Sequence, residues 1–216
     1  MKKNGLIFFL FITFLGFSQK KVSKRFELQT KEIAIQTNGL DNLVIENSNS
    51  KFVEVILFAE SYDDQLIKIK EKEPETRISF YFEGSETREV IFRKFITKRL
   101  QRAEAIIKIP KNKAVSIYGQ NVDIQSKNCS NTLSIFIENG IVKLNKIQKN
   151  TIVKLYAGNV FASSKNFNLN VKTNLGKLRV NDKSYKESFI KQSNSTLKEL
   201  KIESIKANIF LRFDEL

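Results

Sequence analysis

Nucleophilic and metal chemistry have few residues to draw on in this chain. Its 216 residues include no His and one Cys, which excludes Ser-His-Asp and Cys-His catalysis, the common zinc sites and any switch built on an imidazole. Cys129 sits in Lys127-Asn128-Cys129-Ser130-Asn131, where a cation would favour the thiolate. Without a resolving Cys or a His it reads as a bystander thiol. Asp63, Asp64 and Asp123 are oxygen ligands of the kind Ca²⁺ takes, but they lack the spacing of an EF-hand loop and suit turns better. Cleaving a polysaccharide takes paired carboxylates, or an acidic metal site beside a basic residue, in one cleft. Glu138 and Asp182 stand singly at turns. No catalytic residue, metal or cofactor is assigned.

What remains are cations and rings, and a repeat places them. Gly140, Gly158 and Gly176 are spaced by 18 and 18 residues, and the surrounding pattern travels with them. Aligning residues 133–144, 151–162 and 169–180 gives five inward columns: Leu133/Thr151/Leu169, Ile135/Val153/Val171, Ile137/Leu155/Thr173, Val142/Val160/Leu178 and Leu144/Ala162/Val180. Thirteen of these 15 positions are apolar, against four of 12 at the outward positions. The outward positions stack Phe136, Lys154 and Lys172 on one face and Lys143, Phe161 and Arg179 on another, at about 4.8 Å per strand. A line of cations with interspersed rings suits sulfates, phosphates or uronic carboxylates along a polymer, with Phe against sugar faces. The plainer alternative is a solvated Lys face with stray exposed Phe.

Each unit reads as strand, Gly turn, strand, then a looser Lys/Asn-rich turn. A unit that buries one face and returns after a fixed length stacks on its neighbours as a β-solenoid, β-helix-like, with 18-residue repeats in the C-terminal half. The competing reading is a hairpin meander in a β-sandwich. Degenerate copies flank the repeat at 115–124 and from Leu197 to Phe213, where KANIFLRF echoes AGNVFASS.

The rest of the chain reads as irregular β-strands, around 33–36, 43–46, 52–58, 66–70, 78–82 and 105–110, because apolar, β-branched and aromatic residues alternate between turn signals. Residues 86–105 fit either a basic amphipathic helix or a charged hairpin. Residues 1–18 have the Lys-rich start, apolar run and small-residue end of a secretory signal peptide, cut near Ser18. The apolar run is shorter than the ~20 residues of a spanning helix. The resulting division is 1–18 leader, 19–110 N-terminal strands and 111–216 repeats, with 26–216 as one continuous domain. The formal charge is +14. Removing the leader, which holds two Lys and no acid, leaves 35 cations against 23 acids, or +12. Such a chain is drawn to anionic surfaces; export favours acidic polysaccharide or lipopolysaccharide over nucleic acid.

The strand pair at 41–60, the strand ending in IKIPKN (107–112), and repeats such as LSIFIENGIVKLNKI and LNVKTNLGKLRV resemble the bacterial β-strand-repeat adhesin-like domains, including the head-GIN type. The resemblance covers roughly 30–213 and implies a right-handed β-solenoid, a place in the cell envelope (periplasm, outer surface or secreted) and no established enzymatic activity. It supplies no catalytic residue. Two other functions compete: a periplasmic lipid or lipopolysaccharide carrier, which needs an open apolar groove, and a polysaccharide-cleaving β-helix enzyme, which needs clustered acids. Exposed solenoid ends would favour a homo-oligomer.

Overall fold

Alternation of apolar and polar residues makes strands of most of the chain that the computed structural model describes, residues 20–59, 66–81, 103–192 and 196–214. The leader, Asp63, Asp64 and residues 86–102 of the helix-or-hairpin segment lie outside the described residues. In chain order the strands are β1 (Lys20–Glu27), β2 (Glu32–Gln36), β3 (Asn42–Ser48), β4 (Phe52–Ala59), β5 (Ile67–Lys72), β6 (Glu75–Phe80), β7 (Glu104–Pro110), β8 (Ala114–Asn121) and β9 (Asp123–Lys127). They continue as β10 (Thr132–Asn145), β11 (Thr151–Lys165), β12 (Asn168–Thr173), β13 (Leu178–Val180), β14 (Lys183–Tyr185), β15 (Ser188–Lys191), β16 (Glu199–Ser204) and β17 (Asn208–Asp214). The described residues contain no α-helix. Ala105, at the end of the ambiguous segment, belongs to β7.

The strands form two ladders joined through β10 and β11. One runs β5-β6-β2-β8-β10-β11-β16-β12-β15, the other β1-β4-β7-β3-β9-β10-β11-β17-β13-β14. Pairing is parallel in the middle of both and antiparallel only toward their ends. Leu133 lies beside Thr151, Gly140 beside Gly158 and Asn145 beside Ser163, an 18-residue parallel register. A hairpin meander pairs antiparallel, so it does not describe this segment.

All fifteen inward positions of the repeat are buried, and both ladders feed one hydrophobic cluster that runs from Val22 to Phe213. The residues expected to be turns are a partial correction. Gly140 and Gly158 lie inside β10 and β11, which bend there without breaking the pairing. Gly176 alone lies between strands. The looser turns follow the second arm of each unit and place Asn112, Asn128, Lys146 and Asn166 at φ of 62°, 50°, 51° and 54°, a conformation Asn tolerates better than most residues. Cys129, Ile147 and Phe167 each follow such a residue and are buried in the core.

The order of units in space departs from their order in sequence. β16 and β17 lie between β11 and the pair β12/β13, where the repeat alone would set residues 151–162 directly against 169–180. At the other end, β2 and β3 lie between β6/β7 and β8/β9. Each insertion is in register, because every unit presents the same inward–outward alternation to its neighbours.

Candidate functional sites on the two ladder faces

The outward side chains of the first ladder line up as Gln36, Tyr118, Phe136, Lys154, Glu203 and Lys172. Tyr118 and Phe136 stack with ring centroids 5.4 Å apart and planes 14° from parallel. The expected adjacency of Lys154 and Lys172 is corrected here. The insertion of β16 sets Glu203 between them, and Lys154 Nζ lies 3.0 Å from Glu203 Oε2. Lys201 Nζ reaches the other carboxylate oxygen at 2.8 Å. The cation line is therefore a Lys-Glu-Lys row, charge-compensated at its centre. Phe136, Lys154, Tyr156, Lys172, Glu203 and Ile205 line an open groove of about 650 Å³.

Hydrogen bonds from Lys201 and then Lys154 hold the Glu203 carboxyl below its ordinary value. A carboxyl that titrates lower folded than unfolded stabilises the fold above the unfolded pKa, and that contribution disappears as pH falls through the folded pKa. The side chain is 38% exposed, so solvent screens the effect. Glu203→Gln is expected to lower the urea midpoint slightly at neutral pH and to match the wild type in acid, because the variant lacks this part of the acid dependence. Parallel urea titrations of both proteins from neutral pH into the acid range check it; an unchanged acid slope would refute it.

The second ladder presents Gln125, Lys143, Phe161, Phe210 and Arg179 in one row. Phe161 and Phe210 stack at 5.1 Å with planes 13° apart, and Phe161 is 41% exposed. Phe161, Arg179, Asp182, Phe210 and Arg212 share a groove of about 450 Å³. Lys143 lines a smaller recess of about 150 Å³ with Glu104, Asp123 and Gln125. Asp123 Oδ1 accepts the Ile141 N–H at 2.7 Å, which gives that carboxylate a local backbone role. Elsewhere on this ladder acids and bases alternate across strands: Lys127 pairs with Glu46 at 3.2 Å and Lys108 with Glu54 at 3.0 Å.

The six outward residues thus divide. Phe136, Lys154 and Lys172 share one groove, Phe161 and Arg179 another, and Lys143, in the same row as Phe161, lines a separate recess. Tyr118, Tyr156, Glu203, Phe210 and Arg212 were not singled out in the sequence. The signal for Phe210 was the KANIFLRF echo of AGNVFASS, since Asn159 lies beside Asn208 and Phe161 beside Phe210. Cys129 is buried, its thiol donates to Asn131 Oδ1 at 3.4 Å, and burial pushes the thiol pKa up, opposite to what a nucleophile needs. Among the described residues no group of three or more His, Cys, Asp or Glu is placed to hold a metal.

This architecture has counterparts among solved structures. A putative cell adhesion protein from Clostridium sporogenes superposes with a TM-score of 0.60 at 14% identity, covering 91% of this chain and 100% of that one. The fold is shared with a bacterial protein named for adhesion. A putative adhesin from Bacteroides fragilis covers 91% of this chain and 98% of that one, at 12% identity and a TM-score of 0.35; the likeness of fold rests on the Clostridium protein. No family model and no curated protein sequence matches the chain.

Proposed function

We propose that this chain is an exported, adhesin-like binding module of a bacterial cell envelope, built as a β-solenoid over one continuous domain and acting without catalysis on anionic glycan such as acidic polysaccharide or lipopolysaccharide. The observation that carries the reading is the pairing of stacked, partly exposed rings with cations on both ladders: Tyr118 and Phe136 beside Lys154, Phe161 and Phe210 beside Arg179. Rings offer flat apolar area to the C–H faces of sugars, and cations offer donors to their acidic groups. The Lys-rich leader pattern, the excess of cations and the fold shared with the Clostridium protein support the location. The parallel 18-residue register supports the solenoid, and the single cluster from Val22 to Phe213 supports one domain with a filled interior rather than a lipid-carrying groove.

The test is binding of protein recovered after export to isolated envelopes, lipopolysaccharide and acidic polysaccharides across a salt series. Saturable binding that weakens with salt and falls about tenfold or more on charge reversal at Lys154, Lys172 and Arg179 is expected. Absence of binding at low salt would overturn the reading.

A further inference from the structure

The two faces do not treat charge alike, and the difference points to a more specific ligand. On the first ladder Glu203 takes up Lys154 and Lys201, so an incoming anion would have to break ion pairs already made. On the second ladder the compensated pairs Lys127–Glu46 and Lys108–Glu54 lie on the strands before β10. Past that point, among the described residues, neither Arg179 nor Arg212 has a carboxylate in ion-pair range. Both are exposed and line the same groove as the stacked Phe161–Phe210 pair. Arg179 stands next to Phe210 across the ladder, and Arg212 follows Phe210 by two residues on the outward side of β17.

We infer that this groove is a subsite for a carboxylated sugar, a uronic acid unit of a polysaccharide, held by Phe161 and Phe210 under the sugar ring and by Arg179 and Arg212 on the carboxylate. The inference rests on the glycan-binding reading and refines it. Two rings stacked across neighbouring strands make a platform one strand spacing long, about 4.8 Å, comparable to a single sugar ring. A carboxylate at the edge of that ring lies close to the plane of the platform, where a planar guanidinium meets it with two parallel N–H donors. A sulfate or phosphate can take the same fork on two of its oxygens, but on an open sheet face its remaining oxygens find no further donor. Asp182, on the rim of the same groove, opposes a second negative charge on the ligand and so favours a singly charged group over a phosphomonoester.

The experiment compares binding of the exported protein to immobilised polygalacturonate, to the same polymer with its carboxyls reduced to alcohols, and to sulfated dextran at matched salt. Polygalacturonate is expected to bind at least about tenfold tighter than either of the others. The Arg179→Ala/Arg212→Ala double variant should lose about tenfold for polygalacturonate, as should Phe210→Ala, whereas Lys70→Ala/Lys72→Ala, two exposed lysines of β5 outside both grooves, should stay within about threefold. Circular dichroism and urea midpoints keep the comparison to folded variants, and Arg179→Lys/Arg212→Lys, which retains both charges, should still lose most of the preference for carboxylate because the fork is gone. Retained polygalacturonate binding in the arginine double variant, with loss in Lys154→Ala/Lys172→Ala, would overturn the inference and leave the glycan reading standing. Equal binding of reduced or sulfated polymer would overturn the ligand class. Failure of all three polymers, together with envelopes and lipopolysaccharide, would remove the underlying reading as well.

Discussion

Gly158→Ala is expected to lower the unfolding free energy by about 3 kcal/mol or more, read as a drop in the urea midpoint. Gly158 sits in the bend of β11 at φ +123°, and a Cβ there would come 2.0 Å from the carbonyl oxygen of Gly140 on the neighbouring strand. The obstacle is backbone, which cannot rotate aside, and it lies in a continuous parallel pairing of β10 with β11. Relief therefore means separating the two strands at the bend. Gly140 repeats the geometry one unit earlier, with φ +148° and Val122 O at 2.0 Å from the added carbon. Gly39→Ala is the control. Gly39 has φ 84° in an exposed turn, so its loss is the conformational cost alone, about 1 kcal/mol. Equal losses at Gly39 and Gly158 would mean that the strands at the bend are not in close contact.

The second large effect concerns the C-terminal unit. Ile202→Asp in β16 is expected to cost more than about 4 kcal/mol, enough to remove the cooperative unfolding transition of a protein of ordinary stability. Ile202 is 0% exposed, and β16 is flanked by β11 on one side and β12 on the other. A carboxylate at that position would face Ile, Leu and Val with no partner. Ile202→Ala tests the same place more gently and should cost about 3 kcal/mol as a cavity. If residues 199–214 were an accessory tail on a finished stack, both variants would unfold like the wild type; denaturant titration followed by far-ultraviolet circular dichroism separates the cases.

Much of the architecture was legible because burial is written at short range. The alternation that singled out Leu133, Ile135, Val142 and Leu144 depends only on which side of a strand each residue faces, and an 18-residue register carries it to β11 unchanged. The strands near 33–36 and 52–58 were legible for the same reason. The neighbour of each unit was not. Every unit offers the same inward columns, so residues 199–214 satisfy β11 and β12 as well as those two would satisfy each other. Nothing local distinguishes the orders. The misreading of Lys154 and Lys172 as adjacent follows directly, since Glu203 arrives between them from a strand some thirty residues beyond Lys172. The glycine bends were legible as positions but not as shapes: an Asn-Gly step suggests a hairpin by its chemistry, and whether the chain reverses or only bends there depends on what the next strand pairs with.

The inward placement of the last unit also bears on mechanical load. A strand at the edge of a sheet, paired on one side only, can be peeled away one hydrogen bond at a time. Here β17 is bounded by β11 and β13, and its register with β11 runs parallel over seven residues, from Asn208 to Asp214. Force applied at the C-terminus along the strand direction meets those bonds together, in shear. β17 is thus clamped inside the stack, and its extraction has to begin with a concerted rupture in place of gradual unzipping.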